Sequence, residues 1–482
     1  MARLLPCRPD ILFVSLIFLL FPLTSPCAVS STVAPDTVNR IVIGSITIKG
    51  NTHTRPAIIL RELNFREGDT LDMGILQGLL KTSRENVFNT RLFTIVSIDS
   101  SLNQRAGKVN MTISVIERWY IWPIPFFAFS DRNFNVWWET RDFSRLTFGA
   151  DVAFFNMRGR NETLTLLTHF GYNQLYGFTY KTPYINKSQT IGLGFGAGLE
   201  LNHEVAVETF NNIPVYKKDP SRYLKQLTYT FVNFIFRPSY YTLHTFGIEY
   251  DYLYFADSVK NVNGFVLNGS NAQKLIYLSY VFKSDHRDVQ YYPLTGYYLD
   301  AGLFLCMPAK TTRSSFFKTT YSRYWRIFSR WYWASGATAK ISFANNQPYF
   351  LQRGLGYDKD YVRGYEYYVV DGQHYLLLKD NLKFAIIPER VIRLDFIRTR
   401  KFNTIPLALY LNLFCDLGYV LNNNTLLDET RGQANNTLEN KLLVGYGAGL
   451  DFVTYYDFVV RMEVSLNQLG KPGLYLHFIA PI

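Results

Sequence analysis

From Ile191 to Leu199 the chain alternates residue by residue. Isoleucine, leucine, phenylalanine, alanine and leucine take one parity, and Gly192, Gly194, Gly196 and Gly198 take the other. Val444 to Phe452 repeats the device, with Tyr446, Ala448 and Leu450 set against Gly445, Gly447, Gly449 and Asp451. A period of two sends successive side chains to opposite faces of a strand. A glycine face backed by an apolar one is unusual in a soluble sandwich, but suits a wall curved around a filled interior. Leu146, Phe148, Ala150, Val152 and Phe154 alternate in the same way with Thr147, Gly149 and Asp151. With the apolar parity on lipid and the other on a lumen, this is the pattern of a transmembrane β-barrel.

About sixteen such segments follow residue 119, near 121, 146, 163, 175, 190, 224, 240, 274, 295, 315, 332, 374, 406, 443, 458 and 473. The spacing, roughly 22 residues each, leaves room for strands of about 9–11 residues and their connections. If the first strand runs outward, the odd-numbered connections lie outside. These include the long polar stretches 201–222, 257–273, 345–373 and 420–440. Several even-numbered ones, at 156–161, 237–240 and 455–457, are short turns, the expected asymmetry. The long basic stretch 388–403 falls on the inner side and does not fit it.

Composition agrees with this reading. Aromatic residues make up 17% of the chain and charged residues only 18%. Residues 1–30 read as a signal peptide: Arg3 and Arg8 precede the apolar run Ile11–Leu23, which is too short to span a bilayer, and small residues follow. No later stretch could be a membrane helix, so any crossing of lipid rests on strands. The net charge of +12 is scattered among Tyr and Phe, without a recognition-helix pattern, and implies no nucleic-acid partner. Contact with acidic lipid headgroups is a milder explanation. Cys306 and Cys415 show no metal-ligand spacing.

Residues 40–118 read as a separate β-α-α-β-β module. Arg40–Lys49 alternates, with Ile41, Ile43, Ser45 and Thr47 on one face. Pro56 suits the first turn of a helix carrying Ile59 and Leu63. Asp72 caps a second helix with the apolar stripe Ile75, Leu76, Leu79 and Leu80. Strands near 93–100 and 109–116 close the module. The stretch SITIKGNTHTRPAIILREL resembles the opening of a POTRA domain, the periplasmic module of the BamA/TamA and two-partner-secretion superfamily. Later fragments resemble the same superfamily in its order: NMRGRNETL at 156–164, KTPYI at 181–185, DHRDVQYYPLTGYY at 285–298, VRGY at 362–365 and FCDLG at 414–418. The resemblance spans about residues 40–482. It implies one POTRA-like periplasmic domain at 40–118, ahead of a barrel of about sixteen antiparallel strands at 119–482 in the bacterial outer membrane. Members that insert or secrete usually carry two or more POTRA domains, whereas this chain has room for one.

Within connection eleven, VRGY sets Arg363 and Gly364 before Tyr365. By itself this is a surface turn with an exposed arginine. In strand thirteen, however, Leu407, Leu409, Leu411 and Leu413 share the lipid parity, which leaves Phe414, Asp416 and Gly418 facing the lumen. In the resembled family the loop arginine docks on this strand. Carried over, Arg363 pairs with Asp416, shielded by Tyr365 and Phe414, as a lock inside the barrel. Two solvated lumen charges are the alternative.

No catalytic constellation is visible: there is no G-x-S-x-G, Walker loop, H-E-x-x-H or C-x-x-C. The chain reads as a non-enzyme with no cofactor or metal. His286, beside Asp285 and Asp288, reads as part of a periplasmic turn, and His477 as a structural lumen residue. Function rests instead on the seam between the first strand (Ile121, Phe127 and Phe129, with Pro123 and Pro125) and a short last strand (Leu474, Leu476 and Phe478). The prolines suit a first strand that pairs poorly with its neighbour. The resemblance implies an assembly factor that accepts unfolded outer-membrane protein strands at the POTRA edge and the seam and inserts them among outer-membrane lipids. Accessory periplasmic or lipoprotein subunits are further candidate partners. A two-partner-type secretion pore is the alternative within the superfamily. A passive porin or an outer-membrane lipid enzyme is the alternative outside it, and for the module a plug or spacer.

Overall fold

The computed structural model describes residues 40–477, apart from 104–107, 130–144, 309–312, 358, 398–402, 426–434, 455–457 and 471. The signal segment and Phe478 lie outside the described residues. The N-terminal module is built from β1 (Arg40–Lys49), α1 (Pro56–Leu60), β2 (Thr70–Asp72), α2 (Met73–Asn89), β3 (Phe93–Asn103) and β4 (Lys108–Glu117). Its sheet runs β2-β1-β4-β3, with β1 parallel to β4. The short β2 has no counterpart in the sequence reading, because three residues carry too little alternation to register.

Two local assignments are corrected. The register of β1 against β4 shifts between Ile43 and Ile46. The bulge flips the parity, so Ile46 and Ile48 join Ile41 and Ile43 on the core while Ser45 and Thr47 face water. In α2, Asp72 caps the helix through Gly74 N at 2.8 Å, but Ile75 is 53% exposed. The buried stripe is Leu76, Leu80, Ser83 and Val87, the i, i+4, i+7 and i+11 face that meets the sheet.

Sixteen antiparallel strands follow in one sheet. They are β5 (Ile121–Phe129), β6 (Leu146–Met157), β7 (Glu162–Gly171), β8 (Gln174–Thr182), β9 (Ile191–Asn202), β12 (Lys225–Phe236), β13 (Thr242–Phe255), β14 (Ala272–Asp285), β15 (Gly296–Met307), β16 (Phe316–Arg326), β17 (Trp331–Ser342), β18 (His374–Arg393), β19 (Thr404–Leu421), β20 (Leu442–Thr454), β21 (Phe458–Asn467) and β22 (Pro472–His477). All are sequential neighbours except β9 and β12, whose connection holds the hairpin β10 (Glu204–Phe210) and β11 (Ile213–Lys218). The sheet is inside-out relative to a soluble core. Phe170, Phe234, Ile248 and Tyr446 are exposed, while Asn381, Asn412, Asp416, Asp451, Arg461 and Glu463 are buried. That inversion is the signature of a barrel in lipid.

Lumen glycines make room for what fills the interior. A Cβ on Gly196 would meet the ring of Phe231, and one on Gly447 the ring of Phe414. The described part of the stretch 388–403 belongs to a hairpin arm: β18 and β19 run on past two bulges, pairing as far as Arg393 with Thr404. The arm exposes Val391, Ile392 and Phe396. Cys306 on β15 and Cys415 on β19 form no disulfide.

Candidate functional site

The module sits on even-numbered connections of the barrel. Gly159, at φ +70°, lets the 156–161 turn approach so closely that a Cβ there would strike His53 O; Arg55 N donates to Gly159 O at 2.9 Å. Asn156 Nδ2 donates to Thr54 Oγ1 at 2.9 Å. Tyr184 of the KTPYI stretch is buried in the module's own core. Arg237 forks onto Glu62 with two bonds of 2.7 Å, and Tyr240 donates to Leu63 O. The loop carrying His53 and Thr54 is clamped by Glu117, which accepts from Thr54 N at 2.6 Å and His53 N at 3.0 Å. Burial raises the Glu117 pKa, but hydrogen bonds from Thr52, Thr54 and His53 outweigh it and hold the carboxyl below its usual range.

The connection between β17 and β18 folds into the far end of the lumen. Val362, Tyr365 and Val370 pack with Leu377, Val420 and Leu443. Gly364 turns the chain at φ +91°. The structure brings Arg363 and Asp416 together, each with 0% side-chain exposure. Nε donates to Oδ2 at 2.8 Å, Nη2 to Oδ1, and the backbone N of Arg363 to Oδ2 at 3.1 Å. The guanidinium carbon lies 3.9 Å from the centroid of the Phe414 ring. Tyr365 serves elsewhere, accepting from Gln468 N at 3.3 Å at the β21–β22 turn. Gly418 and Gly445 admit the loop: a Cβ would meet Val362 at the first and Arg363 O at the second.

Other partners of this loop escaped the sequence reading. Arg363 Nη1 donates to Asn381 Oδ1 at 2.7 Å, and Lys379 is the register partner of Asp416. Both lie on the lumen parity of β18, which could have marked them. Asn467 Nδ2 donates to Gly364 O. Glu366 reaches Glu463 of β21 and His477 of β22. His477 Nε2 lies 3.2 Å from Glu463 Oε1 and 3.9 Å from Glu366 Oε1. One ligand atom from each of the three falls within 4.8 Å of the others, the only such group among the described residues. Arg461 Nε lies 3.9 Å from Glu463 Oε2, so Glu463 already has a cation, and the trio reads as a latch between the loop and the last strand. His286 is stacked between Tyr241 and Tyr297, at 4.0 and 4.5 Å between ring centroids.

At the seam, β22 pairs only with β21 and β5 only with β6, and no pairing joins β5 to β22 among the described residues. Ile121, Phe127, Leu474 and Leu476 are exposed there. Phe129 ends β5. The expectation of poor pairing is corrected: β5 pairs with β6 from Ile121 to Phe129. The prolines act on the other edge. Phe155 N donates to Tyr120 O at 2.7 Å, so hydrogen-bonded pairs fall on even residues of β5. Ile121, Pro123, Pro125, Phe127 and Phe129 therefore turn their backbone groups to the open seam, where Pro123 and Pro125 have no N–H to offer.

Residues 41–118 match the family model described as "POTRA: Surface antigen variable number repeat". The module is a POTRA domain. Among solved structures, CdiB from Escherichia coli is similar over 100% of this chain and 98% of its own, at 13% identity and a TM-score of 0.49. BamA from Haemophilus ducreyi lacking POTRA domains 1–3 is similar over 91% and 83%, at 15% identity and a TM-score of 0.48. CdiB from Acinetobacter baumannii is similar over 91% and 74%, at 13% identity and a TM-score of 0.48. No curated protein matches. A POTRA domain ahead of a sixteen-stranded barrel agrees with the BamA/TamA-like superfamily that the sequence motifs resemble.

Proposed function

We propose that this protein is an outer-membrane assembly factor that accepts unfolded β-strands and releases them sideways into lipid through the seam. The observation that carries the reading is the β5–β22 seam, unpaired among the described residues, with two donor-less prolines turned toward it. An edge that pairs weakly with its own closing strand can exchange that partner for another. Backbone pairing makes little demand on client sequence. The β3 edge of the POTRA domain, eleven residues long and unpaired on its outer side among the described residues, is a second place for a client strand. In this reading the POTRA domain lies in the periplasm, and Arg363–Asp416 holds the outer loop inside the barrel as a structural lock. A lumen occupied by this loop supports insertion over a passive porin.

Depletion of the protein followed by an inventory of outer-membrane proteins tests the reading. Broad loss of barrel proteins is expected. Loss of a single exoprotein would favour a secretion pore instead, and an unchanged inventory would overturn both.

A further inference from the structure

The connection between β14 and β15, residues 286–295, takes no part in the lock or the seam, yet it is tightly built. Arg287 forks onto Asp285 at 2.7 and 2.8 Å. Asp288 accepts from Val289 N at 2.8 Å and Leu294 N at 3.1 Å. The product is a stiff turn that carries Tyr292 at the POTRA end of the lumen to the wall formed by β18 to β21. There Tyr292 is 4% exposed and packs with Ala385, Ala408, Tyr410, Val453 and Val459. Its hydroxyl donates to Asp451 Oδ2 at 2.7 Å, and the Lys383 ammonium lies 4.3 Å from its ring centroid. Burial and then the Asp451 carboxylate push the hydroxyl well above its usual range, so it remains a donor. A cavity of about 60 Å³ lies between turn and wall.

The same turn hangs from the POTRA domain. Asn89, the last residue of α2, donates to Asp288 O at 3.0 Å and accepts from Gln290 N at 3.2 Å. A second cavity, of about 240 Å³, lies beside this tether, lined by Asn86, Asn89, Lys181, Arg237 and Lys283. Six residues of β19 separate Asp416 from Tyr410, the register partner of Asp451. That places the two lumen contacts about 20 Å apart along the wall, in series.

The two contacts differ in what withdrawal leaves behind. Removing the loop strips Asp416 of the arginine that forks onto it. Removing Tyr292 leaves Asp451 still paired with Arg461, whose Nη2 lies 2.7 Å from Oδ2. The first therefore costs more to open than the second. We propose that the 286–295 turn is a gate operated by the POTRA domain: displacement of α2 draws Tyr292 off Asp451 and opens the POTRA end of the lumen independently of the outer loop.

The proposal goes beyond the assembly-factor reading and needs no client, so either can fail alone. Conductance of the purified full chain in planar bilayers tests it. With two closures in series, Arg363→Ala and Tyr292→Phe should each leave the pore nearly closed. The double variant should raise the open population roughly ten- to a hundredfold, the value of one hydrogen bond to a charged group. In the Arg363→Ala background, Glu62→Ala unseats the POTRA domain and should also open the pore, and adding Asn89→Ala should abolish that effect. Should the Arg363 variants fold poorly, hydrogen exchange at Val289 and Leu294, whose amides bond to Asp288 and not to Asn89, gives the same answer in chains with an intact outer loop: faster with Glu62→Ala, and not when Asn89→Ala is added. An unchanged conductance in the Arg363→Ala, Tyr292→Phe double variant, or a Glu62→Ala effect indifferent to Asn89, would overturn it.

Discussion

The buried Arg363–Asp416 pair is the contact whose disruption has the largest calculable effect. The wild-type pair is fully buried, with a three-bond contact and Phe414 stacked on the guanidinium. Removing one partner of a buried pair costs about 3–5 kcal/mol, because the remaining charge is left in a low-dielectric site. Lys379, the register partner of Asp416, offers partial compensation and puts Arg363→Ala at the lower end, about 3 kcal/mol. Asp416→Ala leaves the guanidinium with Asn381 Oδ1 as its remaining close acceptor and belongs at the upper end, about 5 kcal/mol. The double variant removes both members of the pair, so it should fall short of the sum by at least about 2 kcal/mol. Arg363→Lys keeps the charge but loses the fork and the Asn381 bond, and should sit between wild type and alanine. Urea unfolding of the refolded chain in lipid vesicles, read by tryptophan fluorescence and by heat-modifiable gel mobility, measures these differences. Hydrogen exchange at residues 361–366 separates loop release from global unfolding. Single losses below about 1 kcal/mol, or strict additivity, would refute a buried pair and indicate two solvated charges.

Other expectations follow from the same contacts. Glu366, pushed up to about 7 by burial and by the neighbouring Glu463, and facing His477 and Tyr475, should dock the loop most firmly while protonated. A raised carboxyl pKa stabilises the docked state below its unfolded value and loses that contribution as pH rises through the folded one. Protease accessibility of the loop should therefore increase between about pH 5 and 8, and Glu366→Gln should flatten the profile. Gly445→Ala places a methyl group against Arg363 O and should release the loop while leaving β20 paired, visible as faster hydrogen exchange at 361–366 with unchanged strand protection. Restoring the missing donors with Pro123→Val and Pro125→Val should strengthen seam closure, slow client insertion and raise heat resistance on gels.

The strand count, and the faces of strands such as those near 146, 191, 407 and 444, were legible because period two is a local signal repeated along the chain. Asp416 was readable as a lumen residue from leucine parity alone, and the order of the connections placed Arg363 in the loop able to reach it. The role of Tyr292 was not readable. It docks from a turn, outside any alternation, and its partners Asp451 and Arg461 are contacts across the lumen. The phase of Pro123 and Pro125 was equally hidden, because proline content cannot say which edge of a strand loses its donors; that needed the register set by Tyr120 and Phe155. The β1 bulge inverted half a strand's parity with no residue to announce it beyond Gly44. Nor does the sequence of 388–403 distinguish a loop from two strands that continue past the rim.

Insertion of this kind requires a client strand to enter at the seam. Site-specific photo-crosslinking during synthesis of a barrel client can show this, with the probe placed in turn at the positions of Phe127 and Leu474, which face lipid beside the seam, and of Asn381 and Asn412, which face the lumen. Client adducts are expected from the two seam positions and few from the lumen. Adducts confined to the lumen positions would contradict it and would describe a chain passing through the pore.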